Sequence, residues 1–386
     1  MKCKWQTKHI SDIAYTNPKE SLPKKSYAKK IAMEKLQPFC RDISSYDFCE
    51  FNGGTKFRNG DTIMARITPC LENGKIAQVN ILEDGEVGFG STEYIVFRAR
   101  EGNTEPNFLY YLISSSLVRE PAIKSMVGSS GRQRVQIDVV SDIEIEIPPF
   151  SEQKKIAHIL SILDDKIATN TAINKNLESQ AQAIFKSWFV DFEPFGGEMP
   201  RDWRIGNAGE ILEFHDAKRV PLSGSEREKM DKIYPYYGAT SLMDYVDNYI
   251  FEGIFLLLGE DGTVITKEGF PVLQYVDGKF WVNNHAHILT GKLGFSVEEL
   301  YLLFSITNIK SIVTGAVQPK VSQTNLKKLS VVIPSTYILK EFDGVVQPLF
   351  EDIRFRRVEN ERLTVIRDTL LPRLMSGEID VGNIEV

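Results

Sequence analysis

The sequence predicts an α+β protein in which two mixed α/β domains are separated by two long, antiparallel coiled-coil helices, with a pseudo-twofold internal repeat. Three observations lead to this prediction. Residues 143–189 align without a gap with residues 329–375. Residues 5–13 resemble residues 203–211, and both segments begin with Trp and end with Ile. Within residues 143–189, apolar residues recur in alternating steps of four and three, which is the pattern of a coiled-coil helix.

Residues 149–195 and 335–386 are predicted to form the two long helices, and one apolar stripe runs along each. The first stripe comprises Ile156, Leu160, Leu163, Ile167, Asn174 and Leu177, and the second comprises Phe342, Val346, Leu349, Ile353, Asn360 and Leu363. A buried Asn weakens such a seam but fixes its register. Because neither helix can bury its stripe alone, we expect the two helices to pack on each other in antiparallel orientation.

Two prolines lie within the second predicted helix. A proline inside a helix removes a backbone hydrogen bond and clashes with the preceding turn. We therefore expect Pro348 to kink this helix or break its first turns, and Pro372 to bend or end it.

Residues 1–148 and 196–334 are predicted to form the two α/β domains. Runs of β-branched and aromatic residues indicate strands at residues 61–68, 94–98, 254–258 and 286–289. Apolar residues at helical spacing indicate helices at residues 105–119 and 297–307. The pairs Asp261-Gly262 and Asp277-Gly278 indicate turns. Each domain is then a compact unit of ordinary size.

The length and composition are those of a globular protein. The chain has 386 residues, of which 42% are hydrophobic and 25% are charged, which suits two or three domains rather than a disordered chain. No secretory or membrane-spanning segment is evident, and the four cysteines form no C-x-x-C pair. We therefore expect a cytoplasmic protein without a membrane partner, with free thiols at Cys3, Cys40, Cys49 and Cys70.

The motifs that would indicate an enzyme are incomplete. Residues 85–90 have the glycines of a phosphate-binding loop, but Ser91 stands where that motif requires lysine. Residues 147–150 end in Pro-Pro-Phe, as the motif of an amino-methyltransferase does, but they begin with Ile instead of Asn or Asp. We therefore predict no catalytic residue in this chain and no cofactor bound by it.

Two histidines are considered as candidate metal ligands. His285 and His287 lie on one face of a predicted strand, within reach of a single metal ion, but no third ligand is evident. Glu260 and Asp261 could bring carboxylates together, although carboxylates on a turn are more often solvated or capping. We interpret the histidines as hydrogen-bonded or DNA-facing and predict no metal site.

Positive charge is concentrated locally even though the net charge is −6. Residues 1–40 are rich in lysine, and residues 119–134 and 318–328 are basic, as expected for contact with nucleic-acid phosphates. Arginine can recognise guanine, and glutamine can recognise adenine. The candidate DNA-binding residues are Arg66, Asn73, Lys75, Arg132, Gln133 and Arg134 in the first domain, and Asn284, His285, Gln318 and Lys320 in the second. Solvated basic loops with structural glycines are the alternative interpretation.

Several segments together resemble the DNA-specificity subunit (HsdS) of Type I restriction–modification systems. These segments are FRNGD at 57–61, ARITPCLENGK at 65–75, GFGSTEY at 88–94, IPPFSEQKKI at 147–156 and QPKVSQTNL at 318–326. The resemblance covers nearly the whole chain. It implies two target-recognition domains that each recognise one half of a split DNA site, held apart by two conserved helices. The second domain lacks the Arg-Ile-Thr-Pro-Cys segment, so we expect the two half-sites to differ.

The same resemblance implies the partners of the chain. A specificity subunit is not catalytic itself but binds double-stranded DNA and recruits two methyltransferase subunits, which use S-adenosylmethionine. Restriction subunits driven by ATP complete the larger complex. The alternatives are a specificity subunit of a related restriction system, an enzyme (methyltransferase or nuclease) with degenerate motifs, and a coiled-coil adaptor with no role on DNA.

Overall fold

The computed structural model describes residues 5–315, 318–382 and 384, and within it the chain forms two compact units. Unit 1 comprises Met1–Asn170 and Val358–Val386, and unit 2 comprises Thr171–Arg357. Two helices of 40 residues each, Phe150–Phe189 and Thr336–Met375, contribute one half to each unit. The division therefore cuts both long helices near their middles.

Unit 1 contains three sheets. Its strands are β1 (Gln6–His9), β2 (Ala14–Thr16), β3 (Tyr27–Ile31), β4 (Asp47–Glu50), β5 (Thr55–Phe57), β6 (Thr62–Ala65), β7 (Ile76–Gln78), β8 (Gly88–Gly90), β9 (Tyr94–Ala99) and β10 (Glu144–Ile147). The strand orders are β2-β9-β6-β7, β4-β3-β8-β5 and β1-β10. Its helices are α1 (Ile10–Ile13), α2 (Pro106–Ser114), α3 (Ser116–Lys124), α4 (Ile137–Ser141) and the first half of α5 (Phe150–Phe189). Residues 108–113 of α2 are all buried and belong to the main apolar core of this unit.

Unit 2 contains one six-stranded sheet and one two-stranded sheet. Its strands are β11 (Arg204–Asn207), β12 (Leu212–Phe214), β13 (Tyr234–Tyr237), β14 (Leu242–Val246), β15 (Phe251–Gly259), β16 (Leu273–Val282), β17 (Ala286–Gly291) and β18 (Ser330–Ile333). The strand orders are β12-β17-β15-β16-β13-β14 and β11-β18. Its helices are α6 (Ala208–Ile211), α7 (Gly224–Arg227), α8 (Val297–Ile306), α9 (Gln323–Lys327), the second half of α5 and the first half of α10 (Thr336–Met375), whose second half belongs to unit 1.

The order and pairing of the elements confirm the predicted repeat. The sequence β1-α1-β2 in unit 1 corresponds to β11-α6-β12 in unit 2, and the short helix, strand and long helix α4-β10-α5 correspond to α9-β18-α10. The strand pairing agrees, because β2 pairs antiparallel with β9 as β12 does with β17. Likewise, β6 pairs antiparallel with β9 as β15 does with β17. The two units are therefore variants of one fold.

The long helices pair in antiparallel orientation within each unit. In unit 1, Arg367 Nη1 donates to Asp164 Oδ1 at 2.7 Å, and Asn170 Nδ2 donates to Asn360 Oδ1 at 2.9 Å. In unit 2, Asn174 Nδ2 donates to the Ile353 carbonyl oxygen at 3.3 Å. The residue numbers rise along one helix as they fall along the other, which defines the antiparallel arrangement.

The predicted seam residues fall into two classes of burial. Ile156, Leu160, Phe342, Val346 and Ile353 are buried, and Leu163, Ile167, Asn174, Leu177, Leu349, Asn360 and Leu363 are partly buried. Aromatic packing closes the seam in unit 2, where the rings of Phe185 and Phe189 lie 5.7 and 4.8 Å from that of Phe342. Polar residues are buried in the seam of unit 1, where Asn170 is fully buried and Asp164 and Arg367 are nearly so.

Neither of the two prolines ends α10, contrary to the prediction from the sequence. The helix runs without a break through Pro348 and Pro372 to Met375. Pro348 is exposed, and the residue four positions earlier is the exposed Gly344, so no buried backbone group loses its partner there. The prediction that Pro348 breaks the first turns is therefore wrong.

Two further predictions required correction. Asp277-Gly278 does not form a turn but lies inside β16, because the ladder with β15 continues through the facing pair Gly253 and Gly278. Both glycines have positive φ, at 129° and 87°. Glycine adopts such a backbone conformation without steric cost, so the two strands continue through this pair. The helix predicted at residues 105–119 is divided into α2 and α3 by Ser115, whose extended backbone ends one helix and starts the next.

Two smaller observations complete the description. The cysteines Cys40, Cys49 and Cys70 are free, as predicted, whereas Cys3 lies outside the described residues. None of the helices described by the structure has the length and the apolar character that crossing a bilayer requires.

Glu299 at the start of α8 makes the stability of unit 2 depend on pH. Its side chain is fully buried, and burial, together with the nearby Asp343 carboxylate, raises its pKa from 4.5 to about 9. The folded state therefore holds a proton that the unfolded state releases above pH 4.5, so the contribution of this group to stability falls as pH rises from about 4.5 to 9.

We expect Glu299→Gln, which cannot ionise, to become progressively more stable relative to the wild type between pH 5 and pH 8, as measured by thermal unfolding. The control is Glu351→Gln, because Glu351 is exposed on α10 and the loss of its charge should not produce this pH-dependent gain in stability. A stability difference for Glu299→Gln that does not change with pH would contradict the prediction.

Candidate DNA interface

Three segments of unit 1 meet at one end of the sheet that contains β6 and β9. Arg66 follows β6, Glu93 precedes β9, and residues 132–135 follow α3. The Arg66 N–H donates to the Glu93 carbonyl at 2.8 Å, and the Val135 N–H donates to the Arg66 carbonyl at 2.9 Å. The Thr68 N–H donates to the Gln133 carbonyl at 3.1 Å. We call this arrangement, with its residues Arg66, Glu93, Arg132, Gln133 and Arg134, loop cluster 1.

Loop cluster 1 is positively charged and partly exposed. Arg134 forms a bidentate ion pair with Glu93, with Nη2 at 2.7 Å and Nε at 3.0 Å from Oε1. Arg66 Nε donates to the Val135 carbonyl at 3.2 Å, which fixes its side chain against the loop. The hydrogen bond from Arg134, opposed by partial burial and assisted by the charge of Arg66, lowers the pKa of Glu93. Loop cluster 1 therefore contains three arginines and one glutamate, which leaves an excess of positive charge.

Unit 2 contains the same backbone arrangement. The Glu260 N–H donates to the His285 carbonyl at 2.8 Å, the Val321 N–H donates to the Glu260 carbonyl at 2.8 Å, and the Gly262 N–H donates to the Pro319 carbonyl at 3.0 Å. These three bonds match those of loop cluster 1. They make Glu260 the equivalent of Arg66, His285 the equivalent of Glu93, and Lys320 the equivalent of Arg134. We call Glu260, Asp261, Asn284, His285, Gln318 and Lys320 loop cluster 2.

The charges at equivalent positions are different. Lys320 Nζ lies 3.3 Å from Glu260 Oε1, and His285 Nδ1 lies 2.7 Å from Asp261 Oδ1. The position of Arg66 is therefore acidic in unit 2, and the position of Glu93 holds a histidine. Two loop clusters with one backbone and different side chains present different hydrogen-bonding groups to a ligand.

A buried polar network lies beneath loop cluster 2. Arg219 Nη1 donates to Glu260 Oε2 at 2.7 Å and to the Ala286 carbonyl at 2.8 Å. His287 is buried, with Nδ1 2.6 Å from Asp216 Oδ2 and Nε2 2.8 Å from the Val321 carbonyl oxygen. Burial opposes ionisation of Asp216 and Glu260, but hydrogen bonds from His287 and Arg219 outweigh it and lower the pKa of both carboxyls.

The network has the donor types of a metal site. Asp216, Glu260 and His287 place ligand atoms within 4.8 Å of one another, so the structure supplies carboxylates that the sequence did not link to the histidine. Arg219 and Lys320 already neutralise these carboxylates, and a cation would compete with them for the same oxygens. We therefore interpret the network as a brace that holds the loops.

The remaining candidate DNA-binding residues differ in their exposure and in whether they lie within a loop cluster. Arg132, Asn284 and Gln318 are exposed within their loop clusters. Asn73 is exposed, and Lys75 Nζ donates to the Met33 carbonyl at 3.0 Å, so Lys75 helps to hold its own loop. The contacts that the structure describes join neither of these two residues to Arg66 or Arg134.

Glu93, Arg219 and Asp216 are not among the candidate DNA-binding residues predicted from the sequence, although Glu93 lies in the GFGSTEY segment at 88–94. Each acts through a partner far away in the sequence, so its residue type alone does not indicate the contact. The internal repeat provides a signal for Glu93, because Glu93 directly precedes β9 as the candidate residue His285 directly precedes the equivalent strand β17.

Two α/β units with equivalent but differently charged loop clusters, joined by paired long helices, define a DNA-recognition protein built by duplication. A family model described as the Type I restriction modification DNA specificity domain matches residues 2–179 and 200–349. The chain belongs to this family of DNA specificity subunits.

Relatives in two organisms have similar lengths. The chain is 29% identical over 304 residues to the Type I restriction enzyme MjaIX specificity subunit of Methanocaldococcus jannaschii, a match that covers 72% of this chain and 70% of that protein. It is 25% identical over 403 residues to the HindI specificity subunit of Haemophilus influenzae, covering 83% and 87%. The fold is similar to that of the S subunit of a Type-I restriction-modification system from M. genitalium, with a TM-score of 0.53 at 17% identity over 97% and 96% of the two chains.

Proposed function

We propose that this chain is the non-catalytic subunit that selects the DNA sequence in a Type I restriction–modification complex. Each unit recognises one half of a bipartite site through its own loop cluster. The observation that carries the proposal is the pair of loop clusters, in which three matching backbone hydrogen bonds hold different side chains. Because the same backbone arrangement carries different side chains in the two units, we expect the two halves of the DNA site to differ in sequence.

The electrostatics of the loop clusters support binding to DNA. Lysine and arginine near the phosphates provide most of the affinity of such proteins, and side chains that reach base edges provide the specificity. Arg132 and Arg134 are exposed in loop cluster 1, as Gln318 and Lys320 are in loop cluster 2. Arginine, glutamine and lysine are side chains that can contact both phosphates and the edges of bases.

The long helices would set the separation of the half-sites and dock the partners. Two methyltransferase subunits would bind along the exposed side of the helix pair, and restriction subunits would join this assembly. Large apolar side chains are exposed on α5 and α10, where soluble helices normally carry polar residues. They are Ile162, Val358, Val365 and Ile366 in unit 1, and Tyr337, Val345 and Phe355 in unit 2. We propose that these residues contact the methyltransferase subunits.

The chemistry of modification would belong to the partners. S-adenosylmethionine would be bound by the methyltransferase subunits and ATP by the restriction subunits, and neither would be bound by this chain. The alternative, an enzyme with degenerate motifs, requires the isolated chain to bind S-adenosylmethionine directly.

The methylome of a host that carries this chain and its cognate methyltransferase subunit tests the proposal. We expect a modified bipartite motif with two unlike halves, which disappears when the gene for this chain is removed while the methyltransferase gene remains. A continuous motif, or one that persists without this chain, would contradict the proposal. So would saturable binding of S-adenosylmethionine to the isolated chain in calorimetry.

A further inference from the structure

Arg134 is held by one carboxylate in a geometry that leaves half of its guanidinium available. Nε and Nη2 both donate to Glu93, so one edge of the guanidinium is occupied. The other edge consists of Nη1 and the second N–H of Nη2. Its nearest described partner is the Arg132 carbonyl oxygen, 3.5 Å from Nη1, which is at the limit of a hydrogen bond.

Both members of this pair are anchored by their backbones. The Glu93 N–H donates to Ser91 Oγ at 3.1 Å, and its carbonyl accepts from the Arg66 N–H at 2.8 Å. Arg134 exchanges two backbone hydrogen bonds with Val127, at 2.9 and 3.0 Å. The Glu93 side chain is 24% exposed and that of Arg134 is 44% exposed, so the carboxylate lies deeper and the guanidinium reaches outward. The direction of the free edge is therefore set by the protein before DNA arrives.

The free edge matches one base. Two parallel N–H donors fit two acceptors, and in the major groove guanine presents two acceptors, O6 and N7, on one base. Adenine pairs its N7 acceptor with a donor, and cytosine presents a donor. A guanidinium fixed in advance also loses less conformational entropy on binding than a free side chain does.

Unit 2 does not have this arrangement. Its equivalent positions hold Lys320, whose ammonium group is a point charge without a planar fork, and His285, which pairs with Asp261. The difference lies in the side chains alone, because the backbone hydrogen bonds of the two loop clusters match.

We propose that Glu93 is a positioning residue that orients Arg134 for bidentate hydrogen bonding to a guanine in the half-site recognised by unit 1. This proposal rests on the proposed function and adds a base and a mechanism of selection to it.

The test uses the complex of the full chain with its methyltransferase subunits and duplexes that carry the motif found in the wild-type methylome. Each guanine is replaced in turn by 7-deazaguanine, which lacks the N7 acceptor. We expect one replacement to weaken binding by the wild type roughly tenfold, the scale of a single base contact. In Arg134→Ala and Glu93→Gln, the same replacement should have little effect, although binding to other replaced duplexes changes as in the wild type.

Glu378→Gln is the matched control, because Arg373 and Glu378 form an exposed ion pair of similar length, 2.7 Å, at the end of α10. It should retain the full response to 7-deazaguanine. Thermal unfolding of each variant checks that the fold is intact.

Two results would overturn the proposal. The first is that no guanine of the motif gives a 7-deazaguanine response that is present in the wild type and lost in Arg134→Ala. The second is full retention of that response in Glu93→Gln; if binding is also uniformly tighter, Glu93 only screens the charge of Arg134. If the wild-type complex has no bipartite motif, the proposed function fails instead, and this result is distinct from the other two.

Discussion

Replacement of Arg367 by Ala should destabilise the protein by about 3–5 kcal/mol, the cost of removing one partner from a buried ion pair. Arg367 Nη1 lies 2.7 Å from Asp164 Oδ1, and both side chains are less than a tenth exposed. Tyr111 Oη also donates to Asp164, at 2.6 Å. Without Arg367, the carboxylate would remain buried with one neutral partner, which does not replace the lost charge.

Urea unfolding of the full chain, followed by circular dichroism, would measure this loss. Arg373→Ala on the same helix is the control, because Arg373 forms an exposed pair with Glu378, and such pairs contribute roughly 0–1 kcal/mol. If the two variants unfold at the same urea concentration, the prediction is wrong.

The internal repeat suggests a second variant for the same unfolding experiment. In the aligned helices, Asp164 and Arg367 correspond to Phe350 and Ala181, and Tyr111, the sixth residue of α2, corresponds to Leu302, the sixth residue of α8. Leu302, Phe350 and Ala181 are buried in one apolar core. Apolar side chains are therefore compatible with the fold at these three positions. We expect the triple variant Tyr111→Leu, Asp164→Phe, Arg367→Ala to be more stable than Arg367→Ala, since buried ion pairs can be replaced by packed apolar groups at little cost.

Reversal of two charges in loop cluster 1 should have the largest effect on DNA binding. Arg132 and Arg134 are exposed, and both contribute to the positive charge of the cluster. We expect Arg132→Glu with Arg134→Glu to reduce the affinity of the methyltransferase complex for its site at least ~30-fold, since each lost contact costs roughly 1–3 kcal/mol. The slope of affinity against salt concentration should also become shallower.

The readout is binding to duplexes in which the two half-sites are changed separately, at one fixed salt concentration. The double variant should lose its preference in one half and retain it in the other. Lys320→Glu in loop cluster 2 should show the reverse, which makes each variant the control for the other. Unchanged affinity in both variants would favour a coiled-coil adaptor with no role on DNA.

Much of the fold followed from the sequence because its signals are local. The apolar steps of four and three depend only on the pitch of a helix, so they predict α5 and α10 without knowledge of what these helices contact. The strands at residues 94–98 and 286–289 are also predicted from local sequence, since each is a short apolar run between polar turns. The alignment of the chain with itself then gave the duplication.

The errors have a common cause, which is that a neighbouring element overrides a local preference. Asp277-Gly278 is a strong turn signal, but it faces Gly253 in a long ladder that continues past it. Pro348 disfavours a helix locally, but Phe342, Val346 and Phe350 of α10 are buried in the core of unit 2, which holds the helix on both sides of the proline.

The sequence by itself determined the two long helices, the duplication and several arginines and lysines of the candidate interface, because periodicity and residue type are properties of short segments. The tertiary structure alone decided that Glu93 meets Arg134, that Arg219 meets Glu260 and Asp216 meets His287, and that Asp164 is paired with Arg367. Each of these pairs joins residues that are distant along the chain, and a charged side chain has no pattern that names its partner. Only the packing of strands and helices brings the opposite charges within hydrogen-bonding distance.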